Sequence, residues 1–305
     1  MSERSFKQLI KGYIALIRPF TLLAPIIVSL CIMFASFVYS EHIGSTSDVF
    51  LSIMIPASFS LAILNGASNA LNQVTDLKTD KISKADRPIP RGDVSIKGAL
   101  IVSGFLYALA ISLSLLVNTM FLVFVLSIAF FTVTYSLPPR FKDKLFLNQI
   151  WVGVPRGLLG ILASWSVFGN AFESLPLSVG LIAMFFLIGG SITKDIIDDE
   201  ADKKTGTHTL INTYGAKKAS FMVFPFMFFP FAFIPILIDA GLLDSSLGLL
   251  TFLAIPSFLI CYLMCMNDKK SKRLENTKSW ALMYVTYFFL AIGFSVLTIV
   301  SSTFA

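Results

Sequence analysis

Charged residues are scarce in this chain of 305 residues: Asp, Glu, Lys and Arg make up only 14% of it, whereas soluble proteins carry about 25%. Histidine and cysteine are scarce too, with two and three residues, and no P-loop, GxGxxG or Ser-His-Asp pattern occurs. Because Cys31, Cys261 and Cys265 all lie in apolar runs, we expect them to pack as small hydrophobic side chains. The composition therefore excludes disorder and disfavours a soluble domain.

Apolar residues take the place of the missing charge, and they make up 55% of the sequence. A bilayer core requires about 20 apolar residues per helix, and nine segments of about that length occur. We therefore predict an all-α integral membrane bundle of nine transmembrane helices, folded as a single domain over residues 1–305. The predicted segments are Pro19–Ser40, Phe50–Asp76, Ile96–Val117, Thr119–Ser136, Asn148–Phe168, Pro176–Asp198, Ser220–Ile238, Leu243–Met266 and Ser279–Ser301.

The charges sort by side of the membrane once these segments are placed. All 24 Lys and Arg residues and 13 acids fall on one face, a net charge of +11, and the other face carries only five acids. Such a bias predicts a multi-pass cell-membrane protein with its N-terminus inside and its C-terminus outside. The overall charge of +6 thus needs no nucleic-acid partner to explain it.

Acidic side chains recur at the ends of the second and sixth predicted helices, each just before a long loop on the basic face, residues 77–95 and 199–219. Spacings of three, four and seven residues place the members of each group on one helical face. The later group repeats an Asp pair 122 residues after the earlier one, which resembles an internal repeat of two four-helix units followed by a ninth helix. We call these groups the first acidic motif (Asn72, Asp76, Asp80) and the second acidic motif (Asp195, Asp198, Asp202).

Two acidic motifs that face each other suit a diphosphate bridged by Mg²⁺, because Mg²⁺ prefers one or two carboxylates together with substrate phosphate oxygens. Nearby Lys and Arg side chains fit the same ligand, since they pair with phosphate. The alternative for each Asp alone is an ordinary helix cap in water. The cations that we expect at the diphosphate are Arg87, Arg91, Arg140, Lys142 and Lys194.

Three further residues are candidates for the same site. Arg156 lies inside the fifth predicted helix, and a charge within a membrane span is a functional candidate unless it reaches the interface. Tyr135 ends the fourth helix, where its phenol either faces the site or anchors the helix at the interface. Asp199 directly follows the second acidic motif.

The combination of motifs resembles the UbiA superfamily of intramembrane prenyltransferases. The resemblance rests on both acidic motifs, on Arg87-Pro-Ile-Pro-Arg91, and on the stretches Tyr135–Lys142 and Arg18-Pro19. The stretch from Pro155 to Gly160 is similar to chlorophyll-synthase-like and archaeal members. Gln73 departs from the family pattern, because many members carry Asp directly after the Asn.

This resemblance implies Mg²⁺-dependent transfer of a prenyl chain from an allylic isoprenyl diphosphate to a lipophilic acceptor, with the active-site mouth on the cytoplasmic side. Both acidic motifs would hold the metal, with Asp76, Asp195 and Asp198 at the centre of the chemistry. Arg18 would join the other cations at the diphosphate.

Two acceptor classes remain open at this point: a quinone or aromatic precursor, and an ether lipid of the geranylgeranylglyceryl phosphate type. Two other classes of protein are the alternatives to an enzyme: a secondary transporter or channel, and a lipid-anchored scaffold, which would show no Mg²⁺ dependence. Transporters usually place ionisable residues near the membrane midplane within two similar halves. Here the acids cluster at helix ends on the basic face, which favours the enzyme.

Overall fold

The computed structural model describes residues 6–266, 269 and 276–304, and these residues form helices and no strand. Helices satisfy every backbone hydrogen bond within one segment, which a lipid environment requires. The all-α prediction is confirmed. The helices are α1 Phe6–Ile17, α2 Pro19–Tyr39, α3 Thr46–Val49, α4 Ile55–Thr75, α5 Leu77–Ser83, α6 Ile96–Leu115, α7 Thr119–Ser136, α8 Leu147–Gly153, α9 Gly160–Trp165, α10 Ser174–Gly190, α11 Asp199–Thr205, α12 Leu210–Ala232, α13 Ile234–Asp239, α14 Ala254–Cys265 and α15 Lys278–Phe304.

Seven helical stretches in the described part of the chain are long and apolar enough to cross a membrane, and each overlaps a predicted segment. The other two predicted segments are also helical: one spans residues 147–165, and the other comprises most of α12 together with α13. Arg156 lowers the hydropathy of the first, and Lys217 and Lys218 lower the hydropathy of α12, which ends at Ala232 before α13 begins. The seven stretches are Pro19–Tyr39, Thr46–Thr75, Ile96–Leu115, Thr119–Ser136, Ser174–Ile196, Ser245–Cys265 and Lys278–Thr303.

The bundle is held together by two large apolar clusters. One includes Met33, Leu64 and Phe121 and joins α2, α4 and α7. The other includes Phe186 and Phe294 and joins α10, α12, α14 and α15. Helices α2 and α9 contribute to both clusters, so the earlier and the later helices pack into one body.

Small polar side chains hold several helix pairs at close range. The Ser60 hydroxyl donates to the Ala110 carbonyl at 2.8 Å, and Ser103 donates to the Ala67 carbonyl at 2.8 Å, which ties α4 to α6. Small residues allow close approach of helices where lipid supplies no hydrophobic drive between them.

Both acidic motifs lie at breaks in the helices. Helix α4 ends at Thr75, Asp76 occupies the junction, and α5 follows. Helix α10 ends at Gly190 and continues as a 3₁₀ segment, Ser191–Ile196, before α11 begins. The two predicted basic-side loops are therefore partly helical: residues 77–95 contain α5, and residues 199–219 contain α11 and the start of α12, which begins at Leu210.

Two ends of the bundle differ in character. At one end the contacts are neutral: Ser36 donates to the Trp165 carbonyl at 2.8 Å and Asn118 donates to the Ser166 carbonyl at 2.9 Å. The opposite end gathers the acidic motifs and the cations around them. The basic residues Arg4, Lys270, Lys272 and Arg273, predicted for that same face, lie outside the described residues.

Candidate active site

A polar cavity opens where the charged ends of the helices meet, with about 1820 Å³ of free space including its mouth. It is lined by the start of α2, the end of α4, helix α5, the end of α7, the start of α8 and the segment that links α10 to α11. Antiparallel neighbours bring these ends together, although they are far apart in sequence. The charged residues lining it are Arg18, Asp76, Asp80, Lys84, Asp86, Arg87, Lys142, Arg156, Lys194, Asp195, Asp198 and Asp202.

The carboxylates of the first acidic motif are neutralised by cations. Asp76 forms an ion pair with Lys142 and a second one with Arg140, whose Nη2 lies 3.1 Å from the Asp76 carboxylate. Asp80 is 2% exposed and accepts from Arg87 Nη1 at 2.6 Å. Asn72 accepts from the Ser136 hydroxyl at 3.4 Å, so every member of the motif has a partner.

The second acidic motif retains unmatched negative charge. Lys84 Nζ lies 2.5 Å from Asp198, but the nearest cation to Asp195 is Lys194 at 3.9 Å. Buried oxygens of Asp195 and Asp198 accept no hydrogen bond from the described residues. Asp202 is buried and has no Lys or Arg partner within the described part of the chain.

The pKa shifts follow from this difference. Burial, followed by repulsion from Asp195 and Asp198, raises the pKa of Asp202 to about 7. Burial also raises the pKa of Asp80, although Arg87 opposes the shift. For Asp198, burial acts in the raising direction, but the attraction of Lys84 outweighs it and lowers the pKa. Ionised Asp202 is thus destabilised by its neighbours unless further positive charge arrives.

Three cations at or next to the cavity are either buried or held in an uncommon backbone conformation. Burial lowers the pKa of Lys142 to about 8. Arg18 and Arg140 both adopt left-handed backbone conformations with a φ of 54°, which is uncommon for residues other than glycine. Backbone outliers of this kind cluster at functional sites.

The donor set fits Mg²⁺ with a phosphate ligand better than it fits a closed metal cage. No three His, Cys, Asp or Glu side chains converge on one metal position in the described residues. Mg²⁺ retains waters and takes only one or two carboxylates besides phosphate oxygens. The unpaired buried oxygens of Asp195 and Asp198 supply that number.

Most of the residues predicted from the sequence line the polar cavity, and three do not. Arg91 points away, is half exposed and pairs with Asp93. Asp199 pairs with Lys203 one turn further along α11, at 2.8 Å. Arg140 stands behind Asp76, where it also donates to the Thr75 carbonyl at 3.2 Å. The predicted residues in the lining are Arg18, Asn72, Asp76, Asp80, Arg87, Tyr135, Lys142, Arg156, Lys194, Asp195, Asp198 and Asp202.

Sequence reasoning missed several polar contributors to the lining, among them Lys84 and Asn148. Lys84 bridges from the end of α5 to Asp198, and its spacing of four residues after Asp80 was an available signal. The Asn148 amide oxygen accepts from the Tyr135 hydroxyl at 3.1 Å and from Lys194 Nζ at 3.3 Å. Nothing in the sequence around Asn148 marks it, because its partners come from α7 and from the segment after α10.

An apolar chamber of about 1000 Å³ adjoins the polar cavity deeper in the bundle. Residues from α2, α4, α10 and α15 line it, among them Val28, Leu64, Leu187 and Met283. The cavity and the chamber share the side chains at their boundary. These shared residues are Thr21, Val152, Arg156, Lys194, Trp280 and Tyr284.

The fold and the cavity together define a multi-pass helical membrane protein with a charged site above an apolar chamber. The chain belongs to the UbiA prenyltransferase family, whose profile matches residues 28–292. It is therefore a prenyltransferase, and the resemblance drawn from the two acidic motifs is confirmed.

Named relatives and solved structures agree with this membership. The chain is 28% identical over 228 residues to digeranylgeranylglyceryl phosphate synthase of Methanococcoides burtonii, covering 75% of this chain and 80% of that protein. It is 29% identical over 210 residues to the enzyme of the same name from Methanosphaera stadtmanae, covering 68% and 70%. The structure of a UbiA homologue from Archaeoglobus fulgidus, bound to GPP and Mg²⁺, superposes with a TM-score of 0.68 at 18% identity, covering 96% of this chain and 99% of that one.

Proposed function

We propose that this protein transfers the prenyl chain of an allylic isoprenyl diphosphate to a lipophilic acceptor and releases diphosphate in a Mg²⁺-dependent reaction. The observation that carries the proposal is the junction of a charged cavity with an apolar chamber. A diphosphate head fits the first and an isoprenoid tail fits the second. The UbiA homologue of similar fold is bound to GPP and Mg²⁺, and GPP is a ligand of this class.

The residues of the polar cavity take complementary roles in this proposal. Both acidic motifs (Asn72, Asp76, Asp80 and Asp195, Asp198, Asp202) hold the metal and diphosphate. Arg18, Arg87, Lys142 and Lys194 neutralise the negative charge that develops on the departing diphosphate. Arg140 acts as a positioning residue through Asp76. Bound Mg²⁺ supplies Lewis-acid stabilisation of the leaving group.

Aromatic side chains lie where the polar cavity meets the apolar chamber. They can stabilise the positive charge that develops on the allylic carbon as diphosphate leaves. Trp280 and Tyr284 line both spaces, and Tyr287 lines the chamber. Aromatic faces attract cations by about 0.5 to 2 kcal/mol each. The same side chains exclude water, which would otherwise capture the allylic carbon.

We further propose nine membrane spans in one domain, with the N-terminus and the cavity mouth on the cytoplasmic side and the C-terminus outside. The charge bias of the sequence supports this orientation. Residues 147–165 and α12 with α13 supply the fifth and seventh spans, in addition to the seven stretches described above, since both are helical between neighbours that are long enough to cross. The two apolar clusters agree with two four-helix repeats and a ninth helix.

Of the two acceptor classes, the ether lipid of the geranylgeranylglyceryl phosphate type has the stronger support. The two relatives described above are named for a synthase of such a lipid and align with at least 68% of this chain. A quinone or aromatic precursor remains the competing acceptor.

The test incubates the purified protein in lipid nanodiscs with Mg²⁺, labelled geranylgeranyl or farnesyl diphosphate, and a panel of acceptors. We expect diphosphate release coupled to a product whose mass equals acceptor plus prenyl chain. Asp76→Asn and Asp198→Asn should abolish this release, whereas Asp239→Asn, at the opposite end of the bundle, should leave it intact. Release that persists in both cavity variants would contradict the proposal.

A secondary transporter or channel would give a different result in the same nanodiscs. It would show no substrate-dependent diphosphate release, and liposomes that contain it would show solute flux. Both acidic motifs lie at one end of the bundle, and the described residues lining the chamber include no acid, so no acidic relay continues along that lining.

A further inference from the structure

Arg156 occupies an unusual position: it lies within the helical segment 147–165, it is exposed where its neighbours Pro155 and Gly157 are buried, and it has no acidic partner among the described residues. It lines both the polar cavity and the apolar chamber. Within the described residues its side chain reaches a single polar group, the Tyr284 hydroxyl at 3.5 Å, and no carboxylate lies within ion-pairing distance. An uncompensated charge in a membrane protein is costly and marks a functional site by default.

The backbone around Arg156 is built to present this side chain. Residues Val154–Leu159 form a π-helical turn, a feature found often at functional sites. The Tyr287 hydroxyl donates to the Arg156 carbonyl at 2.8 Å. On the adjacent side, Gly157 packs so closely on α10 that an added Cβ would lie 2.5 Å from the Met184 Cα. This close contact fixes the segment against α10, and Arg156 lies where the segment lines the polar cavity and the apolar chamber.

The other cation at the boundary is already engaged. Lys194 Nζ lies 2.5 Å from the Tyr135 hydroxyl and 3.9 Å from Asp195. Arg87, Lys84 and Lys142 are likewise paired with the acidic motifs. Arg156 lines both spaces and forms no ion pair with those motifs within the described part of the chain.

Position then indicates which substrate Arg156 meets. The prenyl chain extends from the diphosphate into the chamber, so its reacting carbon lies near the boundary between the two spaces. The acceptor must place its nucleophile beside that carbon, which brings the acceptor's polar head to the same boundary. A planar guanidinium there matches a phosphate or carboxylate by two parallel hydrogen bonds.

We propose that Arg156, assisted by the Tyr284 hydroxyl, binds the anionic head group of the acceptor and makes the enzyme select acceptors that carry a phosphate or a carboxylate. This inference rests on the proposed prenyl transfer and deepens it. It assigns Arg156 to acceptor recognition and separates it from the cations that bind the diphosphate.

The experiment uses acceptor pairs that differ only in charge. One pair is geranylgeranylglyceryl phosphate and geranylgeranylglycerol, and the other is 4-hydroxybenzoate and its methyl ester. The wild-type protein should prefer the charged member of at least one pair, and the preferred pair distinguishes a phosphate head from a carboxylate. In Arg156→Gln the KM for the preferred anionic acceptor should rise at least about tenfold, while the KM for geranylgeranyl diphosphate stays within about twofold.

Two further variants control for folding and for a general loss of charge. Arg156→Lys retains the positive charge but cannot donate two parallel hydrogen bonds to one anionic group, so it should recover part of the acceptor affinity. Lys217→Gln removes an exposed cation of α12, outside both spaces, and should behave as wild type.

Three results would overturn the inference while leaving prenyl transfer intact. These are a wild-type preference for the neutral acceptor in both pairs, an equal rise in KM for charged and neutral acceptors in Arg156→Gln, and a rise confined to the KM for the diphosphate. Failure of the wild-type protein to prenylate any acceptor would instead contradict the proposed function.

Discussion

The two acidic motifs are nearly alike in sequence and differ in their electrostatic state. The negative charge of the first motif is neutralised: Asp80 pairs with Arg87 from the loop after α5, and Asp76 pairs with Arg140 and Lys142 from the segment after α7. The second motif is under-neutralised, with Lys84 as its close cation and buried carboxylate oxygens left unpaired. Two motifs with similar spacing of acids can therefore carry different net charge once their neighbours are counted. The carboxylates of the second motif have fewer cationic partners, so they require a divalent cation more than those of the first motif do.

The strongest test of this comparison is Asp195→Asn. Its unpaired buried oxygen makes Asp195 a principal metal contact in our proposal, so we expect a loss of about 10³-fold in kcat/KM and a large rise in the Mg²⁺ concentration needed for half-maximal rate. The measurement is diphosphate release during a Mg²⁺ titration. Asp239→Asn is the matched control, and an unchanged Mg²⁺ requirement in Asp195→Asn would contradict the difference between the motifs.

Arg87→Gln should produce the next largest effect. It leaves the Asp80 carboxylate, which is 2% exposed, without its 2.6 Å partner. Removal of one member of a buried ion pair costs about 3 to 5 kcal/mol, so the thermal midpoint in nanodiscs should fall and activity should drop by about 100-fold. Arg87→Lys should recover part of both, and a normal thermal midpoint in Arg87→Gln would show that the first motif does not depend on its cations.

Substitutions of Gln73 test whether the first acidic motif can accommodate a further negative charge. Its side-chain amide donates to the Leu16 carbonyl at 2.6 Å and so ties α4 to α1. Gln73→Leu removes that donor and should lower the free energy of unfolding by about 1 to 3 kcal/mol. Gln73→Glu should be more damaging than Gln73→Leu, because it adds a buried charge as well. The reverse order of thermal midpoints would indicate that the first motif accepts another carboxylate.

The smallest effect is expected for Arg91→Gln. This side chain is half exposed and pairs with Asp93 outside the polar cavity, and exposed ion pairs contribute about 0 to 1 kcal/mol. Activity should stay within about twofold of wild type. A loss as large as that of Arg87→Gln would restore the sequence-based prediction that both arginines of Arg87-Pro-Ile-Pro-Arg91 bind diphosphate.

Much of the fold could be read from the sequence because the lipid environment imposes simple rules. Apolar runs of the required length predicted the helices, and the one-sided charge distribution predicted which helix ends meet. The members of the acidic motifs were also found, since Asp at regular spacing is conspicuous where charge is scarce. The second predicted segment ends at Asp76, where the helix does break, whereas the break after Gly190 was not predicted, because local spacing alone does not indicate where a helix stops.

Contacts between segments that are distant in sequence could not be predicted from the sequence. Arg87 and Arg91 are separated by four residues in a symmetrical peptide, yet only Arg87 lines the cavity. The turn that separates them depends on packing against α1, α4 and α6, where Ile89 and Val94 are buried. Lys84 and Asn148 escaped notice for the same reason, since their partners come from other helices.

By itself the sequence determined a membrane-embedded helical bundle with two acidic motifs at one end, because length, hydropathy and charge are properties of each segment alone. The tertiary structure decided which cations neutralise which acids, where the charged cavity meets the apolar chamber, and that Arg156 stands at their boundary without an acidic partner among the described residues. Those features depend on distances between helices, and a distance between helices arises only when the bundle packs.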